Sequence, residues 1–204
     1  MNEEFFYKKL AAEEIFPSAE ELAARLRMPI GHRDEAVDAV ERELRNTIRA
    51  AACAVRVPIA RKEESLLVFP TFSVQSAALS RALEGCEEAY LFAVTLGMQT
   101  ERWLHRLSIL SPAKHFTADA LASAYAEAAA DYANSLLAEG KALTNRFSPG
   151  YGDLPLSIQP KMLEATAAEK YLHITLSDGL LMIPQKSITA IIGIKSVHGQ
   201  GEKT

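Results

Sequence analysis

Several common chemistries are missing from this sequence. The five histidines, His32, His105, His115, His173 and His198, lie scattered, without the spacing that would let them converge on zinc or another protein-bound metal. No Gly-x-Ser-x-Gly elbow and no phosphate-binding loop occurs, so the hydrolase and P-loop signatures are both absent. Two cysteines, Cys53 and Cys86, are too few for a disulfide framework and read as reduced, buried small hydrophobes. No apolar run approaches the roughly 20 residues that span a bilayer. The first residues, Met1-Asn2-Glu3-Glu4, are acidic where a secretory leader is basic. Together these features predict a cytoplasmic protein without membrane or metal. The formal net charge of −4, with no polybasic block, argues against a general nucleic-acid binder, which must displace counterions from phosphates.

What is present is apolar material in ordinary proportion. With 49% hydrophobic and 24% charged residues in a chain of 204, a core can be buried without disulfides or metal, and one domain is favoured over two. The first third reads helical. Ser18-Ala19-Glu20-Glu21 has capping-box spacing and opens a short helix ending near Pro29-Ile30-Gly31. From about Arg33, the residues Val37, Val40, Leu44, Ile48, Ala51 and Val55 recur at steps of three and four, an amphipathic helical stripe. Leu66–Phe69, stopped by Pro70, is a short strand, and Ser73–Leu83 a helix closed by Gly85. Ala89–Leu96 is a continuous apolar run suited to a strand buried on both faces. Met98–Leu107 is helical, and Ser111-Pro112 breaks the chain.

The segment from about Thr117 to Glu139 is a long helix of unusual composition. Leu121, Tyr125, Ala128, Tyr132 and Leu136 make its main stripe, and alanines fill the other faces. A helix apolar nearly all round is a buried one. Its carboxylates Asp119, Glu127 and Asp131 find no cation on the helix itself, so each needs a partner from elsewhere. The last third is strand-like: Leu172–Leu176 and Leu180–Ile183 flank Ser177-Asp178-Gly179, a strong hairpin signal, and Ser187–Ile194 gives another strand. The tail Gly199–Thr204 reads as loose. Partly segregated helices and strands with an antiparallel hairpin predict an α+β fold with a mainly antiparallel twisted sheet, N-terminal helices and a long buried Ala-rich helix.

Between that helix and the hairpin lies Arg146-Phe147-Ser148-Pro149-Gly150-Tyr151-Gly152-Asp153-Leu154-Pro155. Two prolines and two glycines make a rigid loop that brings backbone close to whatever it faces. Arg146 can grip a carboxylate, and Tyr151 can cover a flat or cationic ligand. On residue chemistry alone, a structural turn with a surface arginine is the more economical account.

The loop resembles the Arg-x-x-Pro-Gly-Tyr signature of the activation domain of cobalamin-dependent methionine synthase. Three further stretches agree with that family in order. Ala118–Glu127 resembles the long helix carrying its ligand-binding glutamate, Leu176–Pro184 the following hairpin, and Ser187–Gly193 the strand after it. The resemblance implies a single curved domain that holds S-adenosylmethionine in a shallow groove. By position, Arg146 holds the ligand's carboxylate and Glu127 its ammonium, with Ser148, Pro149, Gly150 and Tyr151 lining the adenosyl part. It also implies reductive methylation of oxidised cobalamin, with an electron from flavodoxin or a similar donor. No Asp-x-His-x-x-Gly segment occurs, so cobalamin is expected only on a corrinoid-binding partner, with this chain as a free-standing activation subunit. The expected layout is residues 1–87 as an N-terminal helical part, 88–196 as the S-adenosylmethionine-binding core, and 197–204 as a flexible tail.

Neither Arg146 nor Glu127 needs to act as acid or base, because a sulfonium is already a good leaving group and the task is orientation. Two alternatives stand beside this reading. One is an interaction module that docks on a corrinoid protein without ligand, since little follows Ile194. The other is a stand-alone methyltransferase, for which Asp153 is the one nearby base. Asp131 is expected to pair with a structural cation or water.

Overall fold

A computed structural model describes residues 4–31, 34–61 and 65–195. His32, Arg33, His198 and the expected loose tail lie outside the described residues. Chain order opens with a strand where helix was expected: Phe5–Lys9 forms β1. Phe6 packs into the main core, while the Phe5 and Tyr7 rings lie against Tyr171. Ala19–Leu26 is α1, and the Ser18 hydroxyl accepts from the Glu21 N–H as anticipated. Glu35–Thr47 is α2, with Asp34 as its N-cap.

The amphipathic stripe stops earlier than its periodicity suggested. Val37, Val40 and Leu44 are its buried residues, but the backbone turns extended at Ile48, and Ala51–Pro58 is β2. Ala51 and Val55 therefore belong to a strand. The run Ala50-Ala51-Ala52-Cys53-Ala54-Val55 states little preference by itself, and pairing on both sides decides it. β2 lies antiparallel between β1 and a long later strand. Ala60–Arg61 (β3), Leu66–Val68 (β4) and Ser73–Gln75 (β5) make a small antiparallel sheet. Of the helix expected over Ser73–Leu83, only Ala77–Ala82 (α3) forms, because the Ser76 hydroxyl caps it by accepting from Leu79 N–H.

Cys86–Thr95 is β6, buried on both faces as its apolar run implied. Met98–Leu110 (α4) and Pro112–Ala138 (α5) follow, with Pro112 at the first turn of α5. Gln159–Ala165 (α6) and Ala168–Leu172 (α7) were not anticipated. Leu172, expected in a strand, ends α7, and His173 closes the helix in a left-handed conformation. The hairpin is present in shortened form as Thr175–Leu176 (β7) and Met182–Ile183 (β8). Ser187–Lys195 is β9.

The central sheet has the order β1-β2-β6-β9, antiparallel throughout, so the α+β expectation holds. Alternation divides its side chains between two faces. Ala52, Ala54, Phe92, Val94 and Ile192 meet α2, α4 and α5. On the opposite face, Val55, Leu91 and Ile191 meet the small sheet, α3 and α6, while Cys53 and Ala93 meet α6 and α7. Burial pushes the Cys53 thiol up to about 12, which makes it a neutral filler as expected. Most alanines of α5, from Ala118 to Ala133, are buried, and their small side chains let this helix lie close on the sheet beneath α1, α2 and α4.

Candidate functional site

The carboxylates of α5 find their cations across space. Asp119, Ser123, Glu127 and Asp131 stand one turn apart in succession, a single stripe along the helix. The Lys186 ammonium, from the link between hairpin and β9, bonds Asp119 at 2.7 Å and the Ser123 hydroxyl at 2.9 Å. Two turns further on, Arg146 meets both remaining carboxylates. Its Nη2 donates to Glu127 at 2.9 Å and its Nη1 to Asp131 at 2.5 Å. Arg25 of α1 adds a longer contact, 3.9 Å, to the other oxygen of Glu127. Asp131 thus has its structural cation, and that cation is Arg146. The two residues assigned by resemblance to opposite ends of one ligand touch each other.

Backbone pairing fixes Arg146. The chain leaving α5 runs along the outer edge of β9, with Thr144 N–H bonded to Gly193 O at 2.9 Å and Lys195 N–H to Ala142 O at 2.9 Å. Phe147 and Ile191 exchange two hydrogen bonds of 3.0 and 2.9 Å. Close approach is possible because position 193 is glycine: a Cβ there would lie 2.6 Å from Cys86 Sγ and 3.0 Å from Thr144 Cγ2.

Beyond Phe147 the loop folds on itself. Tyr151 N–H donates to Ser148 O, Leu154 N–H to Tyr151 O and Gly150 N–H to Leu154 O, all within 3.0 Å. Gly150 takes a φ of 91°, a region that suits glycine. The Tyr151 ring meets Phe147 edge-on at 6.1 Å and remains largely exposed.

A groove of about 440 Å³ opens between this loop, the hairpin and the start of β9, a size ordinary for small-molecule sites. Glu127, Ser148, Pro149 and Tyr151 line it. Arg146 and Asp131 line an adjoining polar chamber of about 280 Å³, which shares Glu127, Ser148, Tyr151 and Ile188 with the groove. Five of the six residues singled out in the sequence therefore border these two spaces. Gly150 shapes the turn behind them.

Other lining residues escaped sequence reasoning: Leu156 and Gln159 after the loop, and Leu180, Met182, Ile188 and Thr189 from hairpin and strand. Gln159 is buried and accepts from the Thr189 hydroxyl at 3.1 Å. Nothing in its local sequence marks it, since it lies at the start of an unanticipated helix.

Asp153 has a different employment from the one a methyltransferase would require. Its carboxylate accepts from the Ser76 hydroxyl and from the N–H groups of Ala77 and Ala78, at 2.8 and 3.1 Å. These bonds, the Ser76 hydroxyl foremost, hold it below the ordinary carboxylate range, so it is a weak base that anchors the loop to the first turn of α3.

An antiparallel sheet backed by a long alanine-rich helix, with a ligand-sized groove at its edge, defines a class of α+β domain that solved structures make specific. The chain matches the crystal structure of the MetH reactivation domain bound to AdoHcy with a TM-score of 0.69, over 93% of this chain and 78% of that one. Sequence identity is 15%, so the likeness is one of fold: this chain has the fold of that reactivation domain. No family model and no curated protein matches it in sequence. Among the described residues, no helix is long and apolar enough to cross a membrane.

Proposed function

We propose that the groove binds S-adenosylmethionine and that the chain is a reactivation-type unit, supporting reductive methylation of cobalamin on a corrinoid-binding partner. The observation that carries this reading is the meeting of Arg146 and Glu127 at the polar end of a groove whose other walls are largely apolar. An amino acid joined to an adenosyl group needs that polarity. Arg146 presents two parallel N–H donors to the α-carboxylate, and Glu127 presents acceptors to the α-ammonium. Ser148, Pro149, Gly150 and Tyr151, with Leu180, Met182 and Ile188, would enclose the adenosyl part, which fits the volume available. The matched reactivation domain was crystallised with AdoHcy, which has the same amino-acid and adenosyl parts without the methyl group.

Within this reading residues 88–196 supply the binding core, and residues 1–87 complete the sheet and contribute Arg25 behind Glu127. The chain's own residues bind and orient the ligand so that its methyl group faces outward. The corrinoid, when held by the partner, supplies the nucleophile, and a flavodoxin-like protein would supply the electron. A stand-alone methyltransferase is disfavoured because Asp153, its one candidate base near the loop, is bonded to Ser76 and α3.

Calorimetric titration of the chain with S-adenosylmethionine, repeated on Arg146→Ala, tests the reading. Saturable binding that the variant loses supports it. Equal binding by the variant removes the carboxylate clamp. Absence of heat with the unaltered chain favours a module that docks on a corrinoid protein without ligand.

A further inference from the structure

We propose that Asp131 is an internal competitor for the ligand's carboxylate, holding one arm of Arg146 in the free chain and leaving it when the amino-acid end of the ligand enters. The inference rests on the S-adenosylmethionine reading of the groove.

Both Nη groups of Arg146 are committed in the free chain, one to Glu127 and one to Asp131. A ligand carboxylate that takes the guanidinium through two parallel bonds must therefore displace at least one of them. The two carboxylates are not held alike. Glu127 has Arg25 on its other oxygen and a side chain 33% exposed, whereas the Asp131 side chain is 72% exposed and, among the described residues, bonds Arg146 alone. An ion pair that open to water is weakly held whatever its length, because solvent offers each charge a comparable alternative.

Withdrawal is also easy. The chamber beside Arg146 is lined by Asn134 and Asn145, whose side-chain amides, with solvent, can receive the released carboxylate. Charge balance favours the same exchange. Arg25, itself paired with Glu21 at 2.7 Å, and Arg146 face Glu127 and Asp131, so replacing Asp131 on Arg146 by the ligand's carboxylate leaves the guanidinium neutralised, while Glu127 keeps an acceptor oxygen for the ligand's ammonium.

Asp131 would thereby act as a specificity-determining residue. A ligand with a carboxylate can replace it on Arg146. One lacking that group leaves the Arg146–Asp131 pair in place and gains nothing from the polar end.

The test is calorimetric titration of the full chain and of Asp131→Asn with S-adenosylmethionine and with 5′-methylthioadenosine, a thioether with the adenosyl part but no amino acid. Asp131→Asn is expected to tighten S-adenosylmethionine by about 1.5- to fivefold, the range set by an exposed ion pair, and to leave 5′-methylthioadenosine unchanged. A silent unaltered chain beside a variant that binds S-adenosylmethionine would support the same conclusion more strongly. Unchanged or weaker binding of S-adenosylmethionine by the variant, with the unaltered chain binding normally, overturns the competitor role and leaves the groove reading intact. If neither binds, the groove reading falls and this inference falls with it. Asp131→Ala, checked for folding by thermal unfolding, should shift affinity in the same direction.

Discussion

Helix α5 carries two clasps of nearly the same composition. At one, Lys186 meets Asp119 and Ser123; at the other, Arg146 meets Glu127 and Asp131. Both cations are largely buried, with side chains 13% and 18% exposed. What differs is the space around them. Lys186 ties the hairpin and β9 down to α5, and neither it nor its partners line the groove. Arg146 stands where groove and polar chamber adjoin. A buried cation between carboxylates is thus not a functional signal by itself. On the proposed reading it becomes one where an adjoining groove admits a ligand that can replace a partner.

Substitutions can sharpen or break that contrast. The largest effect is expected at the Arg146 clasp: if the groove takes the proposed ligand, Arg146→Ala should weaken S-adenosylmethionine by about 2–5 kcal/mol, since truncating one member of a hydrogen-bonded charge pair strands the other. Its stability should fall by no more than about 1–2 kcal/mol, the range of a charged hydrogen bond partly open to solvent. A large loss of stability with little loss of affinity would place Arg146 with Lys186 as a structural cation.

Next is the support beneath the clasp. Gly193→Ala should destabilise by about 1–3 kcal/mol in urea unfolding, because the new methyl meets Cys86, Leu83 and Thr144 at 3.0 Å or less. Affinity should fall with it as the segment bearing Arg146 is pushed from β9.

At the structural clasp, Lys186→Met should cost about 1–2 kcal/mol of stability, the range of a charged hydrogen bond partly open to solvent, while affinity changes less than about threefold. A loss of binding as large as that of Arg146→Ala would erase the distinction between the clasps.

The smallest effect concerns the loop's anchor and depends on pH. The Ser76 hydroxyl and the N–H groups of α3 favour charged Asp153, so its folded pKa lies below the unfolded one. The stability it contributes is present above the unfolded value, about 3.9, and is lost as pH falls through the lowered folded value. Asp153→Asn should therefore unfold more easily at neutral pH, with the difference from the unaltered chain shrinking in acid. A gap constant over that range would count against the charge-dependent cap.

Local sequence determined the elements whose signals agree at every level. The apolar run of β6, the body of the alanine-rich α5, the Asp-Gly hairpin and the Ser18 cap were all legible because periodicity, turn chemistry and capping pointed the same way, although α5 begins at Pro112 and not near Thr117. The loop 146–155 was legible as a rigid turn, since its prolines and glycines stand in one short stretch. Tertiary structure decided the rest. Ala51–Pro58 became a strand because β1 and β6 pair with it on both sides, overriding a helical spacing that ran on from α2 by coincidence. Gln159 reached the groove only because α6 packs beneath β9. The partners of Glu127 and Asp131 could not be read from α5, because the arginine that answers both lies 19 and 15 residues away and is brought back by pairing along the edge of β9. Sequence states what each charge requires. Only the folded chain supplies the distance at which the requirement is met.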